Sequence, residues 1–132
     1  YVQKLENLSI NLVFDRTFFT EENYCRLGKK EYSFTEVYND LVDKFSKLDF
    51  DIYYITIYLE DERLFEERLK REGKVEPAYA KFSGENSVKQ QREYLKMAEE
   101  LKEKYPSIKV FNVENSKDLK ETEKELNKIL GI

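Results

Sequence analysis

Three places along the chain hold residues whose types and spacing could do chemistry. Asp15-Arg16 closes an apolar run, and Thr20 and Tyr24 follow on one face of a short helical stretch. A guanidinium can fork onto a phosphate through two donors. Asp15 could orient it or meet a metal-bound water. Thr20 at a helix start would leave free amide donors that favour an anion, and Tyr24 could pack on a sugar ring. Arg68 and Arg71, three apart, share a helix face just before a loop. There they could stabilise charge on a transferring phosphoryl group. Asn112 to Asp118 leaves one strand-like run and opens the last helix, a turn able to hold a base. Each place also has a plainer reading: a strand-end ion pair, a solvated helix end that suits the dipole, and an ordinary β–α turn.

Composition narrows the chemistry. The chain has no histidine, which removes His-based triads and His-ligated zinc. Its single cysteine, Cys25, cannot form an internal disulfide and lacks a histidine to activate it, so it reads as a small packing residue. With no leader pattern at the start, a cytoplasmic setting is expected. A net charge of −4 argues against a nonspecific nucleic-acid surface. No apolar run reaches the roughly 20 residues of a membrane span. Hydrophobic residues at 40% and charged residues at 38% mark a globular chain, and 132 residues fit one domain.

The elements that must position these groups follow from periodicity. Ser9–Phe14, Ile52–Leu59 and Ile108–Val113 are β-branched and aromatic, and read as strands. The middle run is apolar at nearly every position, as in a strand covered on both faces. Phe34, Val37, Tyr38, Leu41, Val42, Phe45 and Leu48 form a helical stripe, with Ser33 and Glu36 as its capping box. Further helices are expected over 61–71, with Leu64, Phe65 and Leu69 inward, and over 87–104, stopped by Pro106. The last starts at Ser116 and buries Leu119, Leu126, Ile129 and Leu130. Alternating strands and helices imply an α/β domain with a mostly parallel sheet. The segment from about 68 to 86, around Pro77, reads as a lid within it.

The order of these pieces resembles the C-terminal two-thirds of thymidylate kinase-like P-loop nucleotide kinases. Asp15-Arg16, Thr20 and Tyr24 look like that family's Asp-Arg-x-x-x-Ser-x-x-x-Tyr stretch. Ile55–Leu59 followed by Glu67–Gly73 is similar to its strand, helix and lid. Arg92–Ala98 looks like the helix after the lid, and Phe111–Ser116 falls at its adenine-side loop. The resemblance implies a three-layer α/β fold, here lacking its central first strand. It implies an enzyme that uses ATP and Mg2+ to phosphorylate a (deoxy)nucleoside monophosphate or nucleoside. Arg16 would bind the acceptor's phosphate, Asp15 would stand near magnesium through water, and Thr20, Glu21 and Tyr24 would line the acceptor pocket. Arg68 and Arg71 would serve the transferring phosphoryl, with Asn115 and Ser116 beside the adenine. Glu21 stands where the family usually has a neutral polar residue, and Cys25 where glutamine is usual, so the acceptor base stays open.

No Gly-x-x-x-x-Gly-Lys-[Ser/Thr] occurs anywhere in the chain. The resemblance places that loop upstream of Tyr1. Two other readings stand beside the kinase: a nucleotide-binding module without catalysis, and a scaffold whose sheet is completed by a partner chain. The expected partner is a small nucleotide or nucleoside, with no nucleic acid and no membrane, and a homodimer is an open alternative.

Overall fold

The computed structural model describes residues 11–15, 17–71, 84–116 and 118–132. Among these, five helices and two strands form a mixed α/β arrangement. In chain order they are α1 (Phe18–Arg26), α2 (Thr35–Ser46), β1 (Ile52–Tyr58), α3 (Leu64–Arg71), α4 (Gly84–Lys104), β2 (Ile108–Glu114) and α5 (Leu119–Leu130). β1 and β2 pair in parallel, with Ile52 beside Ile108, Tyr54 beside Val110 and Tyr58 beside Glu114. A parallel pair needs a long crossover, and the connection carrying α3 and α4 supplies it.

Side-chain alternation sorts the sheet into two unlike faces. Ile52, Tyr54, Ile108 and Val110 point into the main core with Phe19, Tyr38, Val42, Met97 and Leu101. The Phe19 ring meets Tyr54 edge-on at 4.7 Å, which joins α1 to the strand. Burial raises the phenol pKa of both Tyr38 and Tyr54, so their hydroxyls stay neutral. On the other face Tyr53 stacks with Phe111, and α5 lies against β2. Cover there is partial, and Ile57 is 51% exposed. The strand expected to be covered on both faces is therefore half-buried along its length, with Ile57 exposed.

Several expectations are corrected. Residues 9 and 10 of the first expected strand lie outside the described residues, and 11–14 carry no strand, with Val13 96% exposed. The two described strands pair with each other, and 11–14 join neither of them. The sheet thus has two strands among the described residues, not three. Thr20 does not start the first helix. Thr17 is its N-cap, accepting from the Phe19 amide at 3.3 Å, and Thr20 lies one turn inside.

The Ser33–Glu36 capping box does not form. Phe34 occupies the N-cap position without a side-chain bond, and Thr35 turns its hydroxyl to the buried Glu22. Val37, placed on the inward stripe, is exposed. The helix expected from 61 begins at Leu64, and Leu64, Phe65 and Leu69 are half-buried. α4 starts earlier than expected, at Gly84. The last helix is capped by Asp118, whose carboxylate accepts from the Glu121 amide at 3.0 Å, not by Ser116. Leu119, at its first turn, is 70% exposed, and Leu130 is also exposed. Gly131 closes that helix at φ +74°, a left-handed conformation that glycine adopts without a Cβ clash.

A charged knot ties α1 to α4. Arg26 bonds Glu22 at 3.0 Å, Glu93 at 3.2 Å and Glu100 at 2.8 Å. Burial alone would lower the arginine's pKa, but the three carboxylates outweigh it and raise it. Glu22 is fully buried and survives there because Arg26 and the Thr35 hydroxyl satisfy its oxygens.

Candidate functional site

Ligands of open parallel sheets sit outside the carboxyl ends of the strands. In this chain both strands end at one cleft of about 370 Å3. Thr56, Ile57, Tyr58 and Leu59 form its floor. Phe65, Arg68 and Leu69 of α3 make one wall, and Ser87, Gln90, Gln91 and Tyr94 of α4 make the other. Asn115, just beyond β2, completes the rim. The parallel pairing sets this geometry, because it brings both strand ends and both crossover helices to one end of the sheet.

Arg68 is the charged group of the cleft. Its Nη2 donates to the Asn115 carbonyl at 2.7 Å. The Asn115 amide extends the ladder by donating to Tyr58 O at 2.8 Å, and its side-chain oxygen accepts from Thr122 Oγ1 at 2.7 Å. Next to it, the Glu114 carboxylate accepts from the Glu60 amide at 2.5 Å and from the Ser116 amide. Burial works to raise the Glu114 carboxyl. Hydrogen bonds from Ser116 and Glu60, with the Arg68 charge, outweigh that and hold it below its ordinary value.

Gln91 does the corresponding work across the cleft. The Leu59 amide donates to its Oε1 at 2.7 Å, and its Nε2 donates to Leu59 O at 2.9 Å. One side chain thus satisfies both backbone groups of a residue that is 5% exposed. Behind it, the buried Asn23 of α1 donates to Gln90 O at 3.1 Å, which links α1 to the cleft wall.

Of the residues singled out by sequence, Arg68 and Asn115 meet here, and Ser116 is adjacent through Glu114. Asp15, Thr20, Glu21, Tyr24 and Arg71 are not among the described residues that line the cleft. Asp15 is exposed in a bend. Arg16 lies outside the described residues. Thr20, Glu21 and Tyr24 sit half-buried on α1, where Glu21 accepts from the Tyr32 hydroxyl and Tyr24 O accepts from the Lys29 amide. Arg71 is exposed at the end of α3, so it does not share the environment of Arg68. Most of the expected lid, residues 72–83, lies outside the described residues. Cys25 is half-buried; burial and then the Glu21 and Glu22 charges raise its thiol pKa, which disfavours the thiolate.

The residues overlooked in the sequence are Gln90, Gln91 and Asn23. Gln91 falls three after Val88 and four before Leu95, on the inward stripe of α4. A polar residue on an apolar stripe signals a buried hydrogen-bond partner. Among the described residues no group of three or more acidic or thiol side chains could hold a metal ion. Both Glu114 oxygens are already engaged by amides. No helix among them is long and apolar enough to cross a membrane.

No family model, curated protein or solved structure matches the chain.

Proposed function

We propose that the cleft binds a nucleotide, and that the chain forms part of a nucleotide kinase-like phosphotransferase. The observation that supports this reading is the placement of Arg68. Its guanidinium is fixed by one bond to Asn115 O at the carboxyl end of a parallel sheet. A guanidinium has five N–H donors, so others remain for phosphate oxygens. The cleft volume lies in the range of small-molecule sites. Tyr58 and Tyr94 offer ring surface for a base or sugar, while Thr56, Ser87 and Gln90 offer hydrogen-bonding groups.

In this reading Arg68 neutralises charge on the phosphates, and Asn115 and Ser116 stand on the base side. Arg16, Thr20, Glu21 and Tyr24 are assigned to the acceptor nucleotide, with Asp15 beside them. The glycine-rich loop that phosphoryl transfer needs is not in these 132 residues. The part assigned to this chain is therefore binding and charge stabilisation, with catalysis requiring a loop from elsewhere. No step is assigned to magnesium.

Titration calorimetry with ATP and ADP tests the proposal. Saturable one-to-one binding, weakened by Arg68→Ala with the fold retained by circular dichroism, is the expected result. Absence of binding at millimolar nucleotide would leave the Arg68–Asn115 bond as a structural tie between α3 and β2.

A further inference from the structure

A groove of about 270 Å3 opens between α2 and the last turns of α4. The cleft uses α4 from Ser87 to Tyr94, whereas this groove uses it from Glu100 to Lys104. Val42 and Leu101, both buried, give it an apolar base. Its two rings already carry cations of the chain. The Arg26 guanidinium stands over Tyr38 at 5.7 Å, and the Lys104 ammonium over Tyr105 at 5.9 Å. Three donors stay uncommitted. Arg26 places Nε on Glu22 and Nη1 on Glu93 and Glu100, while Nη2 has no acceptor among the described residues. Lys104 pairs with no carboxylate among them. Tyr38 is 4% exposed, yet its hydroxyl bonds to none of them, and burial keeps that phenol protonated.

We propose that this groove binds a small organic carboxylate, with its apolar body on Val42 and Leu101 and its anionic end between Arg26 and Lys104. Glu100 is the chain's own occupant of that position. Its carboxylate is 45% exposed and meets Arg26 Nη1 at 2.8 Å, a donor it shares with Glu93. A ligand carboxylate that replaces Glu100 keeps the anions around Arg26 at the same number. It also engages Nη2 and Lys104, which Glu100 does not. A cationic ligand is disfavoured, because Arg26 and Lys104 already cover both rings. A purely apolar one would bury donors without giving them an acceptor. The space is below the range for drug-sized ligands, which selects a molecule of about one ring. This inference does not rest on the nucleotide reading.

Amide NMR of the chain titrated with benzoate tests it, beside benzamide, which has the same shape without the charge. Benzoate is expected to give saturable shifts confined to 35–42 and 100–105, and benzamide to bind at least about tenfold more weakly. Lys104→Ala, on an exposed side chain, should weaken benzoate about threefold. Glu100→Gln removes the internal competitor and should tighten benzoate by about threefold or more. Glu103→Gln, exposed on the same helix and not lining the groove, is the control for general charge and should change nothing. If Glu100→Gln fails to fold by circular dichroism, the two ligands on the parent chain and Lys104→Ala still decide. Absence of saturable shifts, equal binding of benzoate and benzamide, or an equal gain from Glu103→Gln overturns the proposal. So do the same shifts with inorganic phosphate alone, which would make the groove a reader of charge without an apolar body.

Discussion

Gln91 stands in for a neighbouring strand at Leu59. Its oxygen takes the Leu59 amide at 2.7 Å and its nitrogen serves the Leu59 carbonyl at 2.9 Å. A buried amide or carbonyl left without a partner costs about 1–3 kcal/mol. Gln91→Ala orphans both groups and opens space for water, so a loss of about 2 kcal/mol is expected in urea unfolding. Gln91→Glu gives a sharper test. A carboxylate accepts from Leu59 N but cannot donate to Leu59 O, whereas the protonated acid can do both. The variant's deficit should therefore shrink as pH falls from 7 toward 4. A deficit independent of pH would mean that the donated bond carries no weight.

Arg26 and Glu22 respond unequally to removal. Arg26→Met strands the buried Glu22 and leaves Glu93 and Glu100 to repel it. Breaking a buried pair from one side costs about 3–5 kcal/mol. Because the arginine is partly exposed, a loss near the lower end, about 3 kcal/mol, is expected. Glu22→Gln keeps the shape and leaves Arg26 two carboxylates, so about 1 kcal/mol is expected. Denaturant midpoints at constant slope decide the order. Equal losses would contradict the asymmetry.

Glu114 makes stability depend on pH in a defined direction. Its carboxyl lies below the ordinary value when folded. Between the folded and unfolded values the unfolded chain binds more protons, so stability falls as pH falls. Its contribution is fully present above the ordinary value of 4.5 and is lost as pH drops through the depressed folded value. Glu114→Gln should therefore be less stable than the parent at neutral pH, and the gap should close in acid. A gap that widens in acid would reverse the sign.

Arg68 and Arg71 separate the nucleotide reading from general surface charge. A charge-assisted hydrogen bond is worth about 1.5–3 kcal/mol, or roughly 10- to 100-fold in affinity. Arg68→Ala is expected to weaken ATP binding by at least about tenfold. Arg71→Ala, on an exposed side chain, should change it by less than about twofold. Calorimetry on both variants distinguishes them, and equal effects would point to nonspecific attraction.

The core supplies a control for packing. Met97 is fully buried in the main cluster, so Met97→Ala should cost about 2–5 kcal/mol. Val13→Ala, on a side chain 96% exposed, should stay within about 0.5 kcal/mol. Thermal unfolding of the two variants compares them directly.

Local patterns settled much of this architecture before any contact was known. The helical stripes through Tyr38–Val42 and Ala98–Leu101, the β-branched runs at 52–58 and 108–113, and their alternation define an α/β chain with a parallel pair. These signals are legible because periods of 3.6 and 2 place side chains on faces whatever lies beyond. Arg68, at a helix end before a loop, and Asn115, in the turn after the last strand, were also legible as candidate polar groups. Tertiary contact decided the remainder. Thr35 spends its hydroxyl on Glu22, a residue thirteen positions away, and Ser33 caps nothing. The run ending at Phe14 matches a strand in composition, yet 11–14 join neither described strand. Gln91 finds Leu59 thirty-two residues away, and Arg68 finds Asn115 forty-seven away. Hydrogen bonds of that reach leave no mark in local spacing, because they depend on which elements pack together and not on the order of residues within one element.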